Sequence, residues 1–368
     1  MCYNPAAVSA TDRFKNIYFC LLAIRSLVSS EIGDWRRLDV SLLTRTRAWK
    51  RGFLTSSYTA YGLGSRNAED YMSDWVHRTR AHSVNGRMRL FLDDKLAFTW
   101  MMQRMGFSSH VPEVLAVLMS GKVYGIDAGS FAGAAADWLC HLNVGERLVV
   151  KPIAGSRGAD VFVIMRTPEG FLVNRAERSH EEITRVLMRQ KASLAIRYVG
   201  QYEYAHQIFA HTTNTIRLLT IRDSIGPFAV AAFHRFGTER SVPVDTFGRG
   251  GLFCSVDLCS GRIGPAVRLT KSGVPEFLTC HPDSRAAVEG IFIPRWREAL
   301  KGVLHIAEAV PFLRYVGWDI AITPQGWVVL EGNANTDIGF QIVTPLLSNP
   351  RARRFLESEG LARKKQET

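Results

Sequence analysis

The pattern that most constrains this chain lies near its end. Two apolar runs, Val316 to Thr323 and Trp327 to Glu331, flank Pro324-Gln325-Gly326. Such runs on either side of a Pro- and Gly-containing break fold as an antiparallel hairpin, and Gly326 is expected to supply the positive φ of a three-residue loop. With the loop centred on Gln325, Asp319 falls opposite Glu331, and Asn333 lies two residues on, facing the same side. Carboxylates directly opposite on neighbouring strands repel each other. A hard divalent cation held by the two acids and the amide oxygen would remove that repulsion and leave positions open for phosphate oxygens, as magnesium sites do. The plainer alternative is a solvated hairpin tip with two unrelated acids.

The rest of the chain sets the scale. At 368 residues with 46% hydrophobic and 22% charged side chains, it is long and apolar enough for two or three lobes around more than one core, which excludes disorder as the main state. There are no internal repeats or low-complexity tracts. The six cysteines form no CxxC pair and no Cys/His cluster at metal spacing, and Cys254 and Cys259 read as two strand residues, so a reducing compartment is expected. No apolar run approaches bilayer length, and the start lacks a secretory leader pattern, so a cytoplasmic protein is expected, with peripheral membrane association open. The net charge is +12, which favours an anionic partner. Residues 1–90 carry fourteen Lys and Arg against seven Asp and Glu, so most of the excess lies there.

The first 90 residues hold helix-compatible stretches, Phe14 to Ser29 and Ala68 to Arg78 among them. From Asp93 the pattern is mixed. A helix capped by Asp93 or Asp94 runs through Lys95 to Met105 and stops at Gly106. Strands are expected at Val114 to Met119, Leu148 to Pro152, Val161 to Met165, Ala195 to Val199, Thr215 to Arg222 and Phe228 to Phe236. Helices are expected at Ser130 to Leu142 and Glu181 to Gln190.

Three further places could carry chemistry. The strand ending in Lys151 runs into Pro152-Ile153-Ala154-Gly155-Ser156-Arg157-Gly158. Glycine N–H groups there could approach phosphate while the lysine neutralises it, although such a turn also closes ordinary hairpins and is not a Walker A loop. Arg217 shares a strand face with Thr215 and needs an anion, either a ligand's carboxylate or phosphoryl group or a neighbouring acid of the protein. Lys95, in the first turn of its helix, reads as solvated. No nucleophile elbow is present, and His206, His211 and His234 read as surface or satisfied core residues. Aromatics are not interleaved with the basic residues, so no specific nucleic acid is expected.

In order, Leu92-Asp93-Asp94-Lys95, Val149-Val150-Lys151-Pro152 with Gly155 to Gly158, Asn214-Thr215-Ile216-Arg217, Val244-Asp245-Thr246-Phe247 with Gly250-Gly251, His281-Pro282-Asp283, and Gly317-Trp318-Asp319-Ile320-Ala321 with Glu331-Gly332-Asn333 resemble the ATP-grasp superfamily. The likeness is closest to the sugar-transfer-associated branch, related to α-L-glutamate ligases. It implies an α+β ATP-grasp fold, two lobes holding ATP, behind an N-terminal mainly helical basic region. The expected division is 1–90 for that region, 91–199 for one lobe, 200–350 for the lobe with the metal site, and 351–368 for a basic polar tail.

The same resemblance implies ATP bound by Lys95, Lys151, Gly155, Ser156, Arg157, Gly158 and the backbone of Arg197, Tyr198 and Val199. It implies one or two Mg2+, or Mn2+, on Asp319, Glu331 and Asn333. Arg217 and Lys151 would be the catalytic residues, and Arg235, Asp245, Gly250 and Gly251 would face the substrate. The implied activity is a carboxylate–amine ligase working through an acyl phosphate on a peptide, a natural product or a polysaccharide-linked substrate. A phosphotransferase using the same site, or a nucleotide-binding protein without turnover, are the alternatives. Departures from the family pattern are Asp160 where a glycine is usual, Thr246 where asparagine is usual, and Arg197 where an acid is common. The basic first 90 residues suggest a second anion, either an acidic or phosphate-bearing substrate or an anionic membrane surface, against a simply solvated basic face.

Overall fold

A computed structural model describes residues 10–126, 132–155, 158 and 160–363, with side chains from residue 20 onward. The chain divides into two compact units: unit 1 comprises residues up to Gly86 with Leu269–Glu276 and Asp337 onward, and unit 2 comprises Arg87–Arg268 and Phe277–Thr336.

Unit 1 is helical. Its elements are the long helix Ala10–Arg37, then Leu42–Lys50, Thr55–Ala60 and Asp74–Arg80, and at the other end of the sequence Pro350–Ser358. Their boundaries follow local chemistry. Ser41 and Ser73 each place a hydroxyl on a free N–H of the first turn, and Asn349 does the same ahead of Pro350, whose missing N–H costs nothing there. The cap at Ser73 explains why the helix expected over Ala68 to Arg78 is broken. Ala68–Asp70 forms only a 3-10 turn, capped by Asn67, before the chain restarts at Asp74. The stretch expected as a polar tail from 351 instead forms the last helix, which buries Ala352, Phe355 and Leu356.

Unit 2 carries two antiparallel sheets. The first contains β1 (Val114–Met119), β2 (Lys122–Tyr124), β3 (Ala132–Ala134), β4 (Arg147–Pro152), β5 (Phe162–Arg166), β6 (Phe171–Val173), β7 (Ala176–Arg178) and β8 (Ala192–Arg197), in the order β3-β2-β1-β8-β4-β5-β6-β7. The second contains β9 (Ile216–Arg222), β10 (Pro227–Phe236), β11 (Leu252–Val256), β12 (Ile263–Leu269), β13 (Pro275–Leu278), β14 (Tyr315–Thr323) and β15 (Gly326–Asn333), in the order β13-β12-β11-β10-β9-β14-β15.

Each sheet has its own core. Leu118, Leu148, Ile164 and Phe171 meet Leu139, Ile183 and Leu187 over the first. Phe98, Met102, Trp296 and Val303 pack with Ile216, Trp318 and Val329 at the second. The helix His180–Met188 enters this arrangement through a full capping box, Ser179 with Glu182.

Three local expectations need correction. The helix expected from Ser130 begins only at Ala135, because Ala132–Ala134 pairs with β2 as an edge strand and Gly133 gives a helix little support there. Cys259 lies in the turn after β11 and is exposed, while Cys254 is a buried strand residue. The hairpin of β14 and β15 turns on two residues, Pro324 and Gln325, with Thr323 paired to Gly326 and its hydroxyl accepting the Gly326 N–H at 3.1 Å. Gly326 is not among the glycines with positive φ.

Asp319 is nevertheless opposite Glu331. Ile320 pairs with Val329, the next pair is Asp319 with Glu331, and Leu330 is the extra residue of a bulge. A loop shorter by one residue and a strand longer by one cancel, which restores the pairing that the sequence suggested.

Candidate active site

One row of registered positions builds the site. Arg217 on β9 is the partner of Asp319 on β14, and Asp319 is the partner of Glu331 on β15, so a cation and two acids line up across three adjacent strands. Arg217 grips Asp319 with two donors: Nε reaches Oδ1 and Nη2 reaches Oδ2 at 2.9 Å. Its third contact is Nη1 to the Thr336 hydroxyl at 2.9 Å. Gly317 leaves the space for this, since a Cβ there would come within 2.2 Å of Thr336 Oγ1.

Arg235 extends the network from β10. Its Nη2 donates to Asp319 Oδ2 at 2.9 Å, and its Nε donates to the Thr215 hydroxyl at 3.0 Å. That hydroxyl in turn donates to Asp245 Oδ2 at 2.6 Å, and the Thr215 N–H reaches the same oxygen at 2.8 Å. Arg217, Asp245 and Asp319 are buried, and Arg235 is half-buried. Burial pushes the Asp319 carboxyl upward, but Arg217 and then Arg235 outweigh it and hold the group well below the ordinary carboxylate range. At Asp245 burial wins over Arg235 and Thr215, and the carboxyl is raised.

Two lysines approach from the other side of this row. Lys95 opens the helix Lys95–Arg104, whose N-cap is Asp94, and its backbone N–H bonds the Ile153 carbonyl at 3.0 Å. That bond ties the helix start to the strand end after Lys151. The Lys95 ammonium is mostly covered, donates to the Gly155 carbonyl at 2.9 Å and lies 3.7 Å from Glu331 Oε2. It is therefore not the solvated lysine that its position suggests. Lys151 donates to the carbonyl of Leu330, the bulge residue, at 3.4 Å. Burial lowers its pKa from the usual lysine value, with Glu331 opposing and Lys95 adding to the shift.

Asn333 donates through Nδ2 to the Gly317 carbonyl at 3.3 Å, a bond that leaves its amide oxygen as an acceptor. Gly158 has φ +65°, and a Cβ there would meet Val244 at 2.8 Å, so the glycine loop lies against the residue before Asp245. Ser156 and Arg157 fall outside the described residues. Asp160 takes φ +54°, the backbone geometry that a glycine would adopt more easily.

The other expected residues stand apart from this cluster. Arg197 ends β8 and pairs with Glu113 at 2.6 Å and Glu146 at 3.2 Å. Its side chain is thus committed, and the N–H groups of Arg197 and Tyr198 already bond the Glu113 and Arg147 carbonyls, at 2.9 and 3.2 Å. Gly250 and Gly251 have backbone reasons to be glycine: Gly250 has φ +103°, and a Cβ on Gly251 would come within 2.5 Å of the Asp245 carbonyl oxygen. Together they form the tight turn after Asp245. His281 braces the same region by bonding the Gly237 carbonyl at 2.7 Å and stacking on Phe209. His234 is a satisfied core residue, 2.7 Å from the Tyr204 hydroxyl. Burial lowers its pKa to about 3.

Thr336 and the bridging position of Thr215 are parts of this hydrogen-bonded cluster that sequence reasoning did not assign. A hydroxyl three residues after Asn333 was the only signal for the first, and hydroxyls so placed are common.

The charge inventory limits what the site can bind. Lys95, Lys151, Arg217 and Arg235 face Asp245, Asp319 and Glu331, leaving one positive charge over. Three of the roughly four acceptor positions on Asp319 are already filled by guanidinium donors. Among the described residues no group of three or more His, Cys, Asp or Glu could hold a metal ion. The oxygens of Glu331, Asn333 and the last position of Asp319 fit a hard cation only if a polyanion arrives with it and supplies the remaining ligands and charge. A metal–phosphate complex satisfies both conditions.

A family model described as sugar-transfer associated ATP-grasp matches residues 79–354. No curated protein matches the chain. Among solved structures it is similar to an L-amino acid ligase from Bacillus licheniformis, at 9% identity and TM-score 0.37 over 70% of this chain and 46% of that one. It is also similar to the D-alanine-D-alanine ligase from Coxiella burnetii, at 10% identity and TM-score 0.34 over 77% and 64%. A third is D-cycloserine synthetase DcsG, at 14% identity and TM-score 0.40 over 86% and 97%. The chain thus spans less than two thirds of the length of the first two.

Proposed function

Because this chain belongs to the sugar-transfer-associated ATP-grasp family, we propose that it is an ATP-dependent carboxylate–amine ligase that forms ADP and works through an acyl phosphate. The observation that carries this reading is the convergence of four cations on three carboxylates, with two of the cations, Lys95 and Lys151, positioned beside Glu331 and the glycine loop. Lys95 and Lys151 would neutralise nucleotide phosphates, and the loop from Gly155 through Ser156 and Arg157 to Gly158 would lie along them. Backbone groups of Arg197, Tyr198 and Val199 would meet the base. Glu331 and Asn333, with the last open position on Asp319, would hold Mg2+, or Mn2+ with the same oxygen donors. When bound, the ion neutralises phosphate charge and polarises the phosphoryl oxygens.

The protein's own contribution is positioning and charge. Asp319, fixed by two guanidiniums, keeps Arg217 and Arg235 aimed at one spot. Charge developing on a transferring phosphoryl group there would draw on the unfilled N–H donors of Arg217. Arg235, Thr215, Asp245 and the turn at Gly250 and Gly251 would form the acceptor side. A carboxylate oxygen attacks the γ-phosphorus and ADP departs. The amine then attacks the acyl carbon, phosphate departs with the former carboxylate oxygen, and the amine proton passes to solvent. No protein nucleophile is needed.

The test is to screen pooled amino acids, uronic acids and peptides for ADP release, then to run the active pair with an 18O-labelled carboxylate. Label appearing in phosphate, with an amide product by mass spectrometry, is the expected result. A phosphorylated product with no label transfer would make the protein a phosphotransferase. ADP release that no acceptor stimulates, or no ADP release at all, would leave only nucleotide binding.

A further inference from the structure

The long helix of unit 1, Ala10–Arg37, has its polarity reversed. Leu21, Ile24, Val28, Ile32 and Trp35 fall within an arc of about 80° on an ideal helix. All five are exposed, from 38% at Ile24 to 59% at Leu21. The opposite side, which packs, sets polar residues among the half-buried Ala23 and Leu27. The Ser26 and Ser30 hydroxyls accept from Arg78 at 3.2 and 2.9 Å, and Asp34 accepts the Ser56 N–H at 2.8 Å. Glu31, beside them, accepts the Thr55 N–H at 3.0 Å. A helix that packs only on its own chain does the opposite, burying its apolar stripe and turning its polar side to water.

The apolar surface continues onto the next helix. Trp49 stacks on Trp35 with ring centroids 6.3 Å apart, and both rings remain about half exposed. Val28, Glu31, Ile32, Trp35, Arg36 and Trp49 line an open slot of 370 Å³. A run of large apolar side chains this size on a surface marks a place that something covers.

The charges indicate what covers it. Arg25 and Arg36 are exposed along one edge of the stripe, and Arg47 and Lys50 are exposed on the second helix. Glu31 and Asp34 are engaged within the unit, Glu31 with Arg45 and Thr55, and Asp34 with Arg37 and Ser56, while Asp39 after the helix is exposed. A second copy meeting this face about a two-fold axis would set these cations against themselves. A helix lying in the plane of a bilayer instead sinks its apolar stripe, holds Trp at the boundary and gives its cations to anionic headgroups. Among the described residues no helix is long and apolar enough to cross a membrane, so the contact would be with the surface.

We propose that unit 1 docks on the surface of an anionic lipid bilayer, with Leu21, Val28, Ile32, Trp35 and Trp49 inserted and Arg25 and Arg36 on the headgroups. The test is flotation of the full chain with phosphatidylcholine vesicles, with and without phosphatidylglycerol. Binding should require the anionic lipid, weaken in high salt and bring tryptophan emission to shorter wavelength, quenched by brominated acyl chains. Ile32→Glu should lower binding about tenfold or more, and replacing Arg25 and Arg36 by Gln about fivefold for each cation. These positions are exposed, so melting temperatures should match the wild type. If Ile32→Glu melts early, Trp35→Ser replaces it.

Absence of vesicle binding at low salt would overturn the proposal, as would equal binding by Ile32→Glu. A dimer by light scattering that Ile32→Glu converts to monomer would overturn it in favour of a second copy.

Discussion

Lys151 illustrates how a single environment sets a residue's behaviour. Half-buried beside Lys95, it has Glu331 and one backbone carbonyl for compensation, so the charged form is held at a cost. A polyanion placed against it would raise its pKa again. Nucleotide binding is therefore expected to take up a proton in alkaline buffer, and affinity should fall as pH rises through the lowered lysine pKa. Calorimetry in buffers of different ionisation enthalpy measures the uptake, and Lys151→Ala should abolish it while weakening binding about tenfold or more. Arg217 makes a different prediction. Removing one partner of a buried pair leaves the other charge uncompensated, so Arg217→Ala should lower stability by about 3–5 kcal/mol as well as turnover. Urea denaturation with an unchanged midpoint would mean that Arg235 alone satisfies Asp319.

At the scale of elements, the β14–β15 hairpin shows what was legible and what was not. Alternation and the Pro–Gly break were enough to set Asp319 against Glu331, because side chains on a strand repeat every two residues. The bulge at Leu330 was invisible, since any apolar residue can occupy one, and its effect was hidden by the shorter loop. The strand Val114–Met119 was readable for a different reason, as a short continuous apolar run with two valines. The edge strand Ala132–Ala134 was not, because three small residues carry almost no local preference. Arg235, Asp245 and the paired glycines emerged only through the family likeness, since Asp245 and the glycines lie in the loop between β10 and β11, where no periodicity marks a site residue. Helix packing gives a further test. A Cβ on Gly302 would come within 2.0 Å of the Trp327 ring. Alanine would gain about 1 kcal/mol in helix propensity but overpack a filled core, so Gly302→Ala should be destabilising by roughly 1–2 kcal/mol in equilibrium unfolding.

At the scale of the molecule, pH response should follow buried histidine. His234 has a folded pKa near 3 against an ordinary value of 6.5. The unfolded chain therefore binds the proton more tightly, and stability present above pH 6.5 is lost as pH falls from there toward 3. At pH 5 this amounts to about 2 kcal/mol, and His281, lowered for the same reason of burial, adds in the same direction. Thermal melts at pH 7 and pH 5 should differ accordingly, and His234→Phe should reduce the difference.

Unit 1 carries one more implication. Its chain arrives in three pieces, and the first and last depend on one another: Gln341 bonds both backbone groups of Met72, at 2.8 and 3.1 Å, Tyr61 bonds the Ile338 carbonyl, and Arg353 pairs with Asp70 at 2.7 Å. A recombination crossover near Gly86 would inherit the first piece from one parent and the last from another, separating Met72 from the glutamine that completes it. Shuffling among relatives should therefore succeed only when both ends are exchanged together.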